Sequence, residues 1–78
     1  MSTLLESLIR NCAGLDQLHR LEQAARERHA RAFTACDAAQ RMMLPKPAIM
    51  LAVRIEARRW NTFTMISDEI RYRESLLP

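Results

Sequence analysis

Glycine occurs once in these 78 residues, at Gly14, and proline three times, with two of the prolines flanking Lys46. One glycine rules out a Gly-rich phosphate-binding loop. So few breakers beside so much Ala, Leu, Arg and Glu favour helix over sheet. Cysteine is equally sparse. Cys12 and Cys36 stand outside any CxxC pair, too few for a disulfide framework. On one continuous helix they would lie about 36 Å apart, beyond the reach of a bridge. Two small buried hydrophobes in a reducing compartment is the simpler reading. The chain also lacks a basic segment followed by an apolar one at its start, and no apolar run approaches the roughly 18–20 residues of a membrane span. A cytoplasmic location without membrane contact is therefore expected.

The usual constellations of site chemistry are missing too. His19 and His29 are not at the i,i+4 spacing of a helical zinc pair. His29 falls near the apolar stripe described below, where a lone histidine reads as a packed side chain. Asp68 and Glu69 are adjacent, so on a helix they point about 100° apart and form no acid/base couple. No Ser/His/Asp or Cys/His set is credible on a scaffold without an enclosed pocket. The expectation is a protein that is not an enzyme, with no catalytic residue, cofactor or metal.

What is present is a helix-forming chain, 49% hydrophobic and 27% charged, too apolar to be disordered. Its length allows one domain, 1–78, whose core alone would contribute only about 3–5 kcal/mol. Thr3 and Glu6 are spaced as a capping box. From there Leu4, Leu5, Leu8, Cys12, Leu15, Leu18, Leu21, Ala25, Ala32, Ala35, Cys36, Ala39, Met42 and Met43 recur at threes and fours, one face of a helix over about 3–43. Glu22–Arg26 and Glu27–Arg31 are favourable i,i+4 pairs on the polar side. Gly14 is a soft spot, since glycine inside a helix costs about 1 kcal/mol against Ala. It offers a break point, but the stripe continues in phase through Leu15 and Leu18, which favours one helix with a weak point.

Pro45 and Pro47 disfavour helix at the residues before them, and Pro47 suits the start of a new one. A turn at 44–47 and a second helix over about 47–76 follow. The second stripe runs Ile49, Ala52, Val53, Ala57, Trp60, Phe63, Ile66, Ile70 and Leu77. The fold expected is all-α, an antiparallel hairpin of two long amphipathic helices. Its core would hold Leu8, Leu15, Leu18, Ala25, Ala32, Ala39, Val53, Trp60, Phe63, Ile66 and Ile70. The Ala-rich half of the first helix, Ala24 to Ala39, allows close approach of bulk such as Trp60 and Phe63. Met50, Met65, Tyr72 and Leu76 fall off the second stripe and exceed what one seam covers, which implies a second contact. With Arg54 and Arg58 on its rim, this set is the candidate partner-binding surface.

Net charge is +3, and eleven of the twelve basic residues are Arg. Arg54, Arg58 and Arg59 beside Trp60 look like a cationic stacking platform for nucleic acid. Glu56 and the apolar residues around Trp60 favour instead a solvated basic face over a buried Trp. Arg71 and Arg73 near the end suit the negative pole of their own helix.

The start Met1-Ser2-Thr3-Leu4, the Ala-rich first helix, the proline turn and the ending Ile66-Ser67-Asp68-Glu69-Ile70-Arg71-Tyr72-Arg73 together resemble the small co-chaperones of the type III secretion needle subunit. The resemblance implies a cytoplasmic helical hairpin that stabilises a larger tetratricopeptide-like chaperone and, with it, keeps a polymerising secretion subunit soluble before export. It carries over no catalytic or ligand motif. Two alternatives stand beside it. One is a self-associating homodimer, a four-helix bundle that binds nucleic acid. The other is a small phage-type inhibitor that coats a host protein.

Overall fold

The computed structural model describes residues 4–11 and 14–77, with side chains for all of these except Leu4, Leu5, Glu6 and Leu8. The capping-box residue Thr3 and Cys12 lie outside the described residues, and the Leu8 core assignment lies outside the described side chains. The chain is a helical hairpin with a short extra helix: α1 (Leu4–Asn11), α2 (Leu15–Arg41) and α3 (Lys46–Ser75), with no strand among the described residues. α2 packs along α3, and α1 docks on α3 at the end away from the turn.

The first arm is thus two helices rather than one weakened helix. Gly14 caps the N-terminus of α2 with extended backbone (φ −148°, ψ 159°), and its carbonyl accepts from the Leu18 N–H at 3.2 Å. A position with that backbone is outside the helix, so the apolar phase continues through Leu15 while the backbone does not. The separation lets α1 turn onto α3. There Ile9, absent from the expected core, is buried with Leu18, Ala25, Ile66 and Ile70. Leu18 is fully enclosed, at 0% exposure.

Arg73 fixes this arrangement. Its Nη2 donates to the carbonyls of Ile9 (3.2 Å) and Arg10 (3.0 Å), while Nε donates to Glu69 Oε1 (3.0 Å). The last carbonyls of a helix have no partner inside it and carry its negative pole. Arg73 thus serves the C-terminus of α1, not the end of its own helix.

The turn is tighter than the prolines alone require. α2 ends at Arg41, and Met43 takes a left-handed conformation (φ 52°). The Leu44 N–H donates to Ala39 O and the Met43 N–H to Gln40 O, both at 3.1 Å. This pair of bonds is the Schellman ending, which usually has glycine at the left-handed position. Met42 and Met43 therefore leave the stripe and project from the tip. Pro45 then caps α3, which begins at Lys46, one residue before Pro47.

Along α2 the half-buried and buried positions include Leu15, Leu18, Glu22, Ala25, His29, Ala32, Cys36 and Ala39, alternating steps of three and four, with Asp37 half-buried beside them. Along α3 they include Ile49, Ala52, Glu56, Phe63, Ile66 and Ile70, the same rhythm with one gap, where the intervening seam position is the exposed Arg59. This is the heptad seam of a left-handed pair, period 3.5 rather than 3.6. Two assigned core residues fall one place off it. Val53 is 44% exposed and Trp60 48%; Glu56 occupies the seam between them. Leu77 lies past the end of α3 and is exposed.

Candidate interaction surface

The two ends of the hairpin differ sharply. At the α1 end three helices enclose the core. From Arg26 to Thr62, by contrast, Ala39 is the only buried residue. The seam there is lined by Ala32, Cys36, Ala39 and Ala52, whose small side chains cover little. Larger ones, among them Phe33, Leu51, Val53, Ile55 and Trp60, stand beside it in the open. The tip adds Met42, Met43 and Leu44, with Met43 86% exposed.

The shape carries the same asymmetry. The molecule measures 51 × 24 × 16 Å with a radius of gyration of 15.3 Å, where a compact chain of this length would have about 11.5 Å. It exposes 6250 Å², against about 4,900 Å² for a compact monomer of its mass. The surplus, about 1,350 Å², exceeds the roughly 800 Å² that each partner contributes to a standard protein interface.

Polar pairs cross the seam and set its register. His29 Nε2, with its proton on that nitrogen, donates to Glu56 Oε1 at 2.8 Å. Ser67 Oγ donates to Glu22 Oε2 at 2.7 Å, and His19 Nε2 lies 3.5 Å from Glu74 Oε1. Polar groups at seam positions select one alignment over a slipped one, because slippage leaves them unpaired. Glu22 is thus engaged across the seam rather than with Arg26, whose guanidinium lies 5.5 Å over the Phe63 ring. Glu27 and Arg31 form no ion pair within 4 Å among the described residues. The i,i+4 ion pairs among the described residues are Asp37–Arg41 (3.1 Å) and Glu69–Arg73 (3.0 Å).

The two flanks of the turn half have different chemistry. One is aromatic and apolar. The Trp60 ring lies 5.1 Å from His29 and 5.8 Å from Phe63, and His29 lies 6.4 Å from Phe33, all tilted. Glu56, Ala57 and Asn61 complete that groove. The other flank is cationic, with Arg28, Arg31 and Arg59 around Ala32 and Ile55. Arg59 and Trp60 therefore line opposite grooves, and the adjacent residues do not form one stacking platform.

The assigned partner-binding residues do not form a single patch. Met50, Arg54, Arg58, Tyr72 and Leu76 are exposed. Met50 and Tyr72 are about 33 Å apart along α3. Met65 is half-buried against the core, lining a cleft with Ile9 and Arg10. The exposed apolar residues that sequence reasoning overlooked are Phe33, Leu51 and Ile55; a strict heptad count would have marked all three as off the seam.

Among the described residues no three His, Cys, Asp or Glu side chains come together as a metal site, and no helix is long and apolar enough to cross a membrane. Cys36 is a free, half-buried thiol on the seam. No protein-family model, curated protein or solved structure matches the chain.

Proposed function

We propose that the chain is a non-catalytic adaptor that binds another protein through the turn half of its hairpin. The observation that carries this is the turn half itself, where two helices meet on an alanine seam and leave large apolar side chains uncovered, in a molecule with about 1,350 Å² more surface than a compact monomer of its mass. Binding there would supply the burial that the turn half lacks, so partner and hairpin stabilise each other by mass action. On the sequence resemblance, the partner is a tetratricopeptide-like chaperone in the cytoplasm. The complex keeps a polymerising secretion subunit soluble until export.

A second reading is self-association. Ala30, Thr34, Ala35 and Ala38 form a small-residue stripe on the outer side of α2, where the helix of a second copy fits closely into a four-helix bundle.

Co-expression with the products of neighbouring genes, followed by size exclusion with light scattering, tests both. A stable heteromeric complex, disrupted by Leu51→Asp and Ile55→Asp, is the expected result. A dimer of the chain alone supports self-association. A stable monomer that retains no partner overturns both.

A further inference from the structure

We propose that the cationic flank of the turn half receives an acidic amphipathic helix of the partner, laid along α2 and α3 in line with α1. The inference rests on the adaptor reading above and names the chemistry of its partner.

The groove has an apolar floor, Ala32 and Ile55, and three guanidinium groups around it, from Arg28, Arg31 and Arg59. Leu51, one turn before Ile55 on the same side of α3, extends the floor toward the tip and is exposed. None of the three arginines makes an ion pair within 4 Å among the described residues. The chain's own carboxylates near the seam are engaged elsewhere: Glu56 with His29, Glu22 with Ser67, Asp37 with Arg41. Like charges converging on an apolar strip repel one another, and among the described residues no carboxylate, Glu27 beside them included, closes to within 4 Å of these guanidinium groups. Carboxylates from outside would relieve that repulsion and accept from the guanidinium forks in pairs, the geometry in which Arg–carboxylate bonds are strongest. An apolar strip edged by cations matches a helix with an apolar stripe edged by Glu or Asp.

α1 shows that this side of α3 accepts a helix. Arg59 and Arg73, and likewise Ile55 and Glu69, are about fourteen residues apart, close to four turns, so each pair lies on one side of α3. Arg73 holds α1 and Glu69 holds Arg73; Arg59 and Ile55 occupy the corresponding places further along and are exposed. A helix seated there would continue the third layer from α1 toward the tip.

The test uses the isotope-labelled full chain and two synthetic three-heptad helical peptides with identical Leu stripes, one flanked by Glu and the other by Lys. Binding is read by amide chemical-shift mapping and fluorescence anisotropy, at low and at physiological salt. The Glu peptide should bind at least tenfold more tightly, weaken with salt, and shift Arg28, Arg31, Ala32, Ile55 and Arg59. The charge-reversed variant R28E/R31E/R59E, altered only at exposed positions, should prefer the Lys peptide. The neutral variant R28Q/R31Q/R59Q should lose the preference, which keeps the test intact where reversal harms folding. Equal affinity for the two peptides, shifts centred on Trp60, or tighter binding of a single-stranded oligonucleotide at the same arginines would each overturn the inference. A partner complex that survives charge reversal overturns this inference alone, whereas absence of any partner complex overturns the adaptor reading.

Discussion

Substituting Arg73 with Ala should release α1 while leaving the α2–α3 hairpin folded. Starting an isolated helix costs about 4 kcal/mol, the free energy of a nucleation constant near one in a thousand, and eight residues are too few to recover it. α1 is therefore held by tertiary contact. Burial of Ile9 contributes about 2 kcal/mol. The Arg73 bonds to the Ile9 and Arg10 carbonyls add about 2–3 kcal/mol as charge-assisted bonds at a partly shielded site. Together these just exceed the nucleation cost; without Arg73 they fall short by about 2 kcal/mol. Far-UV circular dichroism should lose about an eighth of its helical signal, since α1 supplies 8 residues beside 27 in α2 and 30 in α3. Amide hydrogen exchange localises the effect: the bonded amides of α1, residues 8–11, should lose protection while Leu18, Ala25, Ile66 and Ile70 keep theirs. Arg73→Lys, which keeps the charge and loses the fork, should fall between. Unchanged protection in α1, with stability lowered evenly across the hairpin, would refute the reasoning.

Gly14 has extended backbone, an empty surround within 4 Å and no side-chain cap, so Gly14→Asp should stabilise the protein by about 0.5–1 kcal/mol through capping and a less flexible unfolded chain; thermal melting reads this as a rise of about 2–8 °C. Met43 holds a left-handed conformation that costs a side-chain-bearing residue about 1–2 kcal/mol. After the entropy cost of glycine, Met43→Gly should gain about 0.5–1 kcal/mol in denaturant titration, and a loss would mean that the Schellman turn does not form. Trp60 should be quenched readily by acrylamide, and Trp60→Ala should cost about 1 kcal/mol rather than the 3–5 kcal/mol of a core tryptophan; a blue-shifted, unquenchable emission would return it to the core.

The sequence made the hairpin legible because its signals are local. Pro45 and Pro47 act on their immediate neighbours, and the threes and fours of each arm need only a helical period. What it did not reveal depends on distance or on a small difference in period. The bonds from Arg73 to α1 join residues more than sixty positions apart, and nothing in the Arg71-Tyr72-Arg73 cluster marks one cation as reaching across the fold. Val53 and Trp60 are apolar and sit one place from seam positions, so a 3.6-residue stripe absorbs them where a 3.5-residue seam excludes them. Glu56, polar and mid-helix, is the residue that separates the two periods, and it reads as surface until His29 is seen opposite. The surplus apolar surface of α3 was legible as an excess; its location was not. The off-stripe criterion chose Met65, which α1 covers, and passed over Leu51 and Ile55.

The same shift in period explains why the two halves of the hairpin differ. Both arms keep the seam rhythm to the turn, so the turn half is as well aligned as the α1 end. Its seam, however, carries alanines and the His29–Glu56 pair where the other end carries Leu18, Ile66 and Ile70. Alanine buries little, and a paired polar seam contributes alignment more than stability. A chain selected only to fold would place its large apolar side chains on that seam. Here Phe33, Ile55 and Trp60 stand one place beside it, so the half of the molecule that is least able to stabilise itself is also the half that presents the most apolar surface. Alignment without burial suits a surface that must keep its shape while free and gain its stability when bound.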